Sequence, residues 1–262
     1  MKISCPIFNS LRTYDFWTGE EVFSFQGDSS ALAFTPDGKV LFSATCKAPD
    51  GKNTRIEINV IESSTGEVIR TLLFANAYLP LRCLIASPDG NILVAQAFDL
   101  LTQVWHWQNG QLLSTFNALP SSSSLHSPSS VCRHWLDTVA TRPNSQIIAS
   151  VAQRDKPSKE TTIAIWDIQT TEVLYTLGIS QREPDSGMPH SAMTPDGSLL
   201  VVGNINEIEV WDLENRQQLC VLYGHKSRID YLTISLDGKT IVSYAFNDSI
   251  KVWHSNGSCH NR

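Results

Sequence analysis

Nothing near the start of this 262-residue chain reaches the length of apolar run that a signal peptide or a membrane span requires. "MKISCPIFNSLRTYDFWTGEE" has one Lys and no hydrophobic core, and although Ile-Ser-Cys at 3–5 resembles the end of a lipoprotein cleavage site, the preceding hydrophobic region is missing. Basic charge is not in excess either. Lys and Arg number 20 against 26 Asp and Glu, formally −6, so nothing suggests a surface built to neutralise phosphates, and nucleic acid is not expected as a partner. The six cysteines (Cys5, Cys46, Cys83, Cys132, Cys220 and Cys259) are scattered, with no C-x-x-C pair. That excludes a dense disulfide framework and fits a reducing compartment. These absences together predict a cytoplasmic protein with no membrane partner.

Catalytic signatures are missing as well. The chain has no G-x-S-x-G, H-E-x-x-H or G-x-G-x-x-G and no Walker loop. His126, Cys132 and His134 sit close enough to raise a zinc site, as do His254, Cys259 and His260, but neither group has the paired spacing of a structural site. No metal, no cofactor and no catalytic residue is therefore expected. Helical periodicity is the last absence: no segment longer than about ten residues shows it without interruption by Gly, Pro or β-branched residues.

What the sequence does contain is repetition. Alternating apolar runs end at Tyr14, Ile61, Trp105, Trp166, Trp211 and Trp253, with separations of 47, 44, 61, 45 and 42 residues. Between them recurs a turn: "TPDGKVL" (35–41), "SPDGNIL" (87–93), the degraded "TRPNSQII" (141–148), "TPDGSLL" (194–200) and "SLDGKTI" (235–241). Such Asp-Gly turns let Gly take a positive φ between two strands. In the last unit, "QLCVL", "IDYLTIS", "KTIVSYAF" and "SIKVW" read as four short antiparallel strands. Asp37, Asp89, Asp196 and Asp237 recur with the turn, so they read as turn geometry and not as acid–base groups.

Residues 224–253, "GHKSRIDYLTISLDGKTIVSYAFNDSIKVW", closely resemble a WD40 repeat: Gly-His, an Asp-Gly turn and a terminal Trp occur in order at the family's spacing. The likeness extends with falling fidelity over about residues 11–254. It implies an all-β fold, a WD40-type β-propeller of four-stranded antiparallel blades, about five in number with a partial N-terminal strand; a six-bladed ring whose first blade is incomplete and an arc cut from a longer array are the other readings of the count. One domain over 1–262 would hold repeat units at about 20–61, 66–106, 111–167, 172–212 and 217–254, preceded by a partial repeat at 11–16. By that resemblance "EVFSF" (21–25) would lie beside "SIKVW" (249–253) and complete the last blade. The large ring at each strand end would fill the gap between sheets that cannot bury both faces alone. The resemblance also implies a hydrogen-bonded structural network of His225, Ser243, Asn247 and Trp253, in which Asn replaces the usual Asp and leaves the His without a carboxylate partner.

Loop length bears on function. The turns at Asp-Gly and after the Trp are tight, whereas the other connections carry insertions: "CKAPDGKNT" (46–54), "NALPSSSSLHSPSSVCRH" (117–134), "QRDKPSKET" (153–161) and "GISQREPDSGMP" (178–189). In propeller topology these share one face, which is the expected binding face. Arg154, Lys156, Lys159, Arg182, Glu183 and Asp185 are its candidate partner-binding residues. The expected function is a non-catalytic scaffold for one or more proteins. The alternative is a propeller enzyme whose residues converge from several blades on the central channel.

Overall fold

A computed structural model describes residues 2–7, 10–15, 17–26, 29–47, 55–75, 80–98, 101–117, 133–142, 145–153, 161–179, 190–235 and 237–254. All their regular structure is β, in six antiparallel sheets whose neighbouring strands are consecutive in the chain. The first sheet joins β1 (Lys2–Ile7), β2 (Ser10–Asp15) and β3 (Glu21–Gln26). Then comes β4 (Ser29–Phe34), β5 (Val40–Lys47), β6 (Arg55–Glu62) and β7 (Val68–Phe74). The third sheet is β8 (Leu81–Ala86), β9 (Ile92–Ala97), β10 (Leu101–His106) and β11 (Gln111–Asn117). The fourth is β12 (Arg133–Arg142), β13 (Ser145–Gln153), β14 (Thr161–Asp167) and β15 (Val173–Ile179). The fifth is β16 (His190–Met193), β17 (Leu199–Gly203), β18 (Glu207–Asp212) and β19 (Gln217–Tyr223). The last has three strands, β20 (Ile229–Ile234), β21 (Thr240–Ala245) and β22 (Ile250–His254).

The all-β reading with four-stranded blades holds, and one pairing differs from expectation. "EVFSF" is β3, and it pairs with β2 (Leu11 opposite Phe25, Arg12 opposite Ser24) instead of lying beside β22. The partial repeat expected at 11–16 coincides with β2, which β1 flanks on the other side. Pro6 hides β1 in the sequence: proline lacks an amide donor and is tolerated mainly on edge strands, which β1 is.

The chain divides into two compact units, Met1–Ala118 and Leu119–Arg262. In the first, Leu11, Phe23 and Phe25 pack on Leu41 and Ile61, while Phe42, Ile58, Val60 and Leu72 pack with Leu81, Leu93 and Trp105. In the second, Ile163, Ile165 and Leu177 meet Leu200 and Val202; Val201, Ile208 and Val210 meet Ile229, Leu232 and Ile241. Each sheet therefore supplies apolar side chains that the following sheet of the same unit covers, the packing that a row of thin two-faced sheets requires.

The repeat position picked out by Tyr14, Ile61, Trp105, Trp166 and Trp211 has a backbone signature. At each of them the pairing with the next strand slips by one residue, between Thr13 and Tyr14, Val60 and Ile61, Val104 and Trp105, Ile165 and Trp166, and Val210 and Trp211. Bulges of this kind bend the strand and re-aim one side chain. Trp105 and Trp166 are buried, and Phe74 lies 5.8 Å from Trp105, ring centre to ring centre.

Candidate functional site

Two kinds of turn set the sheet ends. In the first, Thr or Ser, Asp and Gly close the hairpin. The Asp37 carboxylate accepts from Thr35 Oγ1 at 2.7 Å and from the Lys39 amide at 3.1 Å, and Gly38, at φ 68°, donates its amide to the Thr35 carbonyl. Asp196 does the same with Thr194 and Ser198, Asp237 with Ser235 and Lys239, and Asp89 with Ser87 and Asn91. The hydroxyl donor, then the amide, hold the carboxyls of Asp37, Asp196 and Asp237 below the usual range. Such groups are spent on turn geometry and are poor proton shuttles at neutral pH.

The second turn follows the Trp position and explains the Asp of Trp-Asp. Asp167 Oδ1 accepts the amides of Gln169 and Thr170 at 2.8 and 2.9 Å; Asp212 accepts those of Glu214 and Asn215 at 2.8 and 3.0 Å. Asp15 repeats this with Trp17 and Thr18. The turn ends in a left-handed residue, Gly19, Gly66 or Gly110 in the first unit but Thr171 and Arg216 in the second.

One polar chain runs through the last sheet. His225 Nδ1 lies 2.9 Å from Asp248 Oδ2, His225 Nε2 lies 2.7 Å from Ser243 Oγ, and Trp253 Nε1 donates to the same Oγ at 2.9 Å. The roles follow from the ends. A carboxylate only accepts, so Nδ1 carries the proton, Nε2 accepts from the Ser243 hydroxyl, and the Ser oxygen accepts from the indole. Asp248 is held further by the Lys226 amide at 3.1 Å, and the His225 bond, then this amide, lower its carboxyl below the ordinary value.

This corrects the expected network. The carboxylate partner exists and is Asp248, whereas Asn247 occupies the left-handed position of the turn at φ 53°. Asn tolerates that conformation better than most residues, so the Asn-Asp pair divides the work: the first turns the chain and the second caps the His. The order Ser–His–Asp resembles a hydrolase relay, but Ser243 is fully buried, with its oxygen already accepting from Trp253. Nothing can reach it as a nucleophile.

The candidate contact residues Arg154, Lys156, Lys159, Arg182, Glu183 and Asp185 lie outside the described residues, as do His126, Cys132, Cys259 and His260 of the two zinc candidates. His254 is described; its Nδ1 is 3.2 Å from Thr240 Oγ1. Among the described residues no group of three or more His, Cys, Asp or Glu could hold a metal ion, and no helix is long and apolar enough to cross a membrane.

The family model described as WD domain, G-beta repeat matches residues 216–254, the span that contains β19 to β22 and the whole His225–Trp253 chain. Transducin beta-like protein 3 of Bos taurus is 25% identical over 200 residues, which is 75% of this chain and 22% of that protein. Residues 216–254 are therefore identified as a WD repeat. WD repeat-containing protein 18 of Homo sapiens is 21% identical over 240 residues, 87% of this chain and 50% of the relative. The chain thus spans half or less of the length of each of these relatives. The matched WD repeat is the one whose Gly-His, Asp and Trp are joined by hydrogen bonds. In the preceding repeat Trp211 Nε1 donates instead to Glu209 Oε2 at 3.0 Å, a substitute that lies within its own strand.

Proposed function

We propose that this WD-repeat chain is a non-catalytic protein–protein interaction scaffold that binds through inserted loops at one end of the β12–β15 sheet. The carrying observation is the strand order. In an antiparallel sheet the second-to-third connection and the connection leaving the fourth strand emerge at the same end, and here these are residues 154–160 and 180–189, rich in charge. The opposite kind of connection is a tight, internally bonded turn in the neighbouring sheet. Long connections beside a regular scaffold are where binding residues accumulate. Names among the relatives support the reading only broadly, since they are WD-repeat and transducin beta-like proteins. The inaccessible Ser243 supports its non-catalytic part. The scattered cysteines support a cytoplasmic setting.

Charge reversal at Arg154, Lys156 and Arg182 should weaken capture of partners from the native cell and leave the melting curve nearly unchanged, because such surface changes shift stability by no more than about 0.5 kcal/mol. Added salt should slow association of the wild type more than of the triple variant. Lys39 and Lys239, beside the tight turns, are the matched control. Capture lost with the control reversals and kept with the loop reversals would overturn the reading.

A further inference from the structure

The β4–β5 turn and the β8–β9 turn, both in the unit Met1–Ala118, face each other across a cleft of about 410 Å³. Pro36, Asp37 and Lys39 line it from one turn, Pro88 and Asp89 from the other, and Trp107 joins them. The corresponding turns of the fifth and sixth sheets leave less room. There a β-carbon built on Gly238 would meet Thr194 Cγ2 at 3.0 Å, whereas one built on Gly90 first meets Pro36 Cδ at 3.8 Å. Trp107 is an addition to the repeat. Two residues after the Trp position the second, fourth and fifth sheets carry Ser63, Ile168 and Leu213, so a hydroxyl or an aliphatic chain serves the fold at this point.

Trp107 Nε1 donates to the Gly90 carbonyl at 2.7 Å, and its ring lies edge to face with that of Phe42, 5.5 Å between centres. The indole is thus fixed, and with its N–H spent it offers a ligand its π surface, which favours a cation. Other donors around the cleft are directed into their own turns: the Thr35 hydroxyl and the Lys39 amide to Asp37, the Asn91 amide to Asp89, and Gln108 Nε2 to Asn91 Oδ1 at 3.1 Å. Two carboxylates, Asp37 and Asp89, stand against one ammonium, that of Lys39. The ammonium is loosely held. Lys39 Nζ lies 3.6 Å from Asp37 Oδ2, both side chains are mostly exposed, and surface pairs of this kind contribute little, so another cation can displace it.

We infer that this cleft takes the arginine side chain of a partner polypeptide, its guanidinium on Trp107 and paired with Asp37 in place of Lys39. Arginine suits it better than lysine, because a planar guanidinium both stacks on an aromatic ring and forks onto a carboxylate. A proline-rich segment, another ligand of aromatic grooves, presents carbonyls that need donors, and the indole N–H is already held by Gly90. The inference does not rest on the loop reading. It concerns other turns in the other unit, and it expects tighter binding when Lys39 is neutralised, whereas a loss of capture on reversing Lys39 and Lys239 is what counts against the loops.

The test is an NMR titration of the nitrogen-15-labelled full chain with N-acetyl-argininamide, read at the Trp107 indole N–H. That resonance is assigned by its loss in Trp107→Leu, Leu being the residue of the fifth sheet at this point. It should move saturably, with a Kd in the millimolar range, and N-acetyl-citrullinamide, of the same shape but uncharged, should leave it in place. N-acetyl-lysinamide should bind about threefold more weakly than the arginine probe. Asp37→Asn keeps an oxygen for the Thr35 hydroxyl and the Lys39 amide and should weaken the arginine probe about fivefold. Lys39→Gln should tighten it about twofold, and because that side chain is exposed this variant tests the site even if Asp37→Asn disturbs its turn. A Trp107 resonance that does not move saturably, an equal response to citrullinamide or lysinamide, or binding that Lys39→Gln weakens or leaves unchanged would overturn the inference.

Discussion

Ile208 and Ile250 are the same residue at the same point of two consecutive repeats, and they have opposite fates. Ile208 sits inside a sheet that has a fourth strand at its side and the β20–β22 sheet over its face. Ile250 has neither among the described residues. A repeat thus contributes stability only in proportion to its neighbours, since one thin sheet buries one face by itself at best. The two sheets differ in polar wiring too. The Trp211 indole is satisfied by a carboxylate two residues away in its own strand, that of Trp253 by a chain reaching across the sheet to His225 and Asp248.

The sharpest way to break the comparison is to truncate both isoleucines. Ile208→Ala should destabilise by about 2–5 kcal/mol, the range for emptying a packed core site. Ile250→Ala should stay within about 0.5 kcal/mol. Denaturant melts would read both, and equal losses would mean that Ile250 is covered in solution.

Much of this was legible in the sequence because it depends on local chemistry. Asp-Gly turns and the alternation around them are each encoded within about ten residues, and in the last unit they place β19 to β22 well. Two matters were not legible. Asn247 and Asp248 are adjacent acceptors, and only the backbone shows which takes the left-handed turn and which faces His225. The pairing of β3 with the preceding β2 was not legible either, because alternation marks a run as a strand and is silent on which strand it joins. Ile250 illustrates the same limit, as an isoleucine in an alternating strand reads as core whether or not anything covers it.

A second test sharpens the wiring contrast. Ser243→Ala removes the acceptor of the Trp253 indole and the donor to His225 Nε2 together. Each buried polar group left without a partner costs about 1–3 kcal/mol, and His225 is nearly fully buried, so a loss of roughly that size is expected. Thr in its place should restore most of it, because the hydroxyl remains. Chemical melts that place Ser243→Ala level with wild type would show that the chain of bonds does not hold the last sheet.

The smallest effect separates the two sheets by acid. Asp248 has its carboxyl lowered by the His225 hydrogen bond and then by the Lys226 amide, and the fifth sheet satisfies its own Trp without such a pair. A carboxyl whose folded value lies below the unfolded one, near 3.9 for Asp, stabilises the fold fully above the unfolded value and loses that contribution as pH falls through the folded value. The turn carboxylates Asp37, Asp196 and Asp237 are lowered too, so acid will weaken the whole chain. Asp248→Asn isolates the last sheet from this background. At neutral pH the wild type should melt above the variant, and the gap should narrow as pH drops below about 4. A gap that stays constant down to the acid transition would mean that Asp248 works by shape alone, and the comparison between the two sheets would then rest on burial and not on charge.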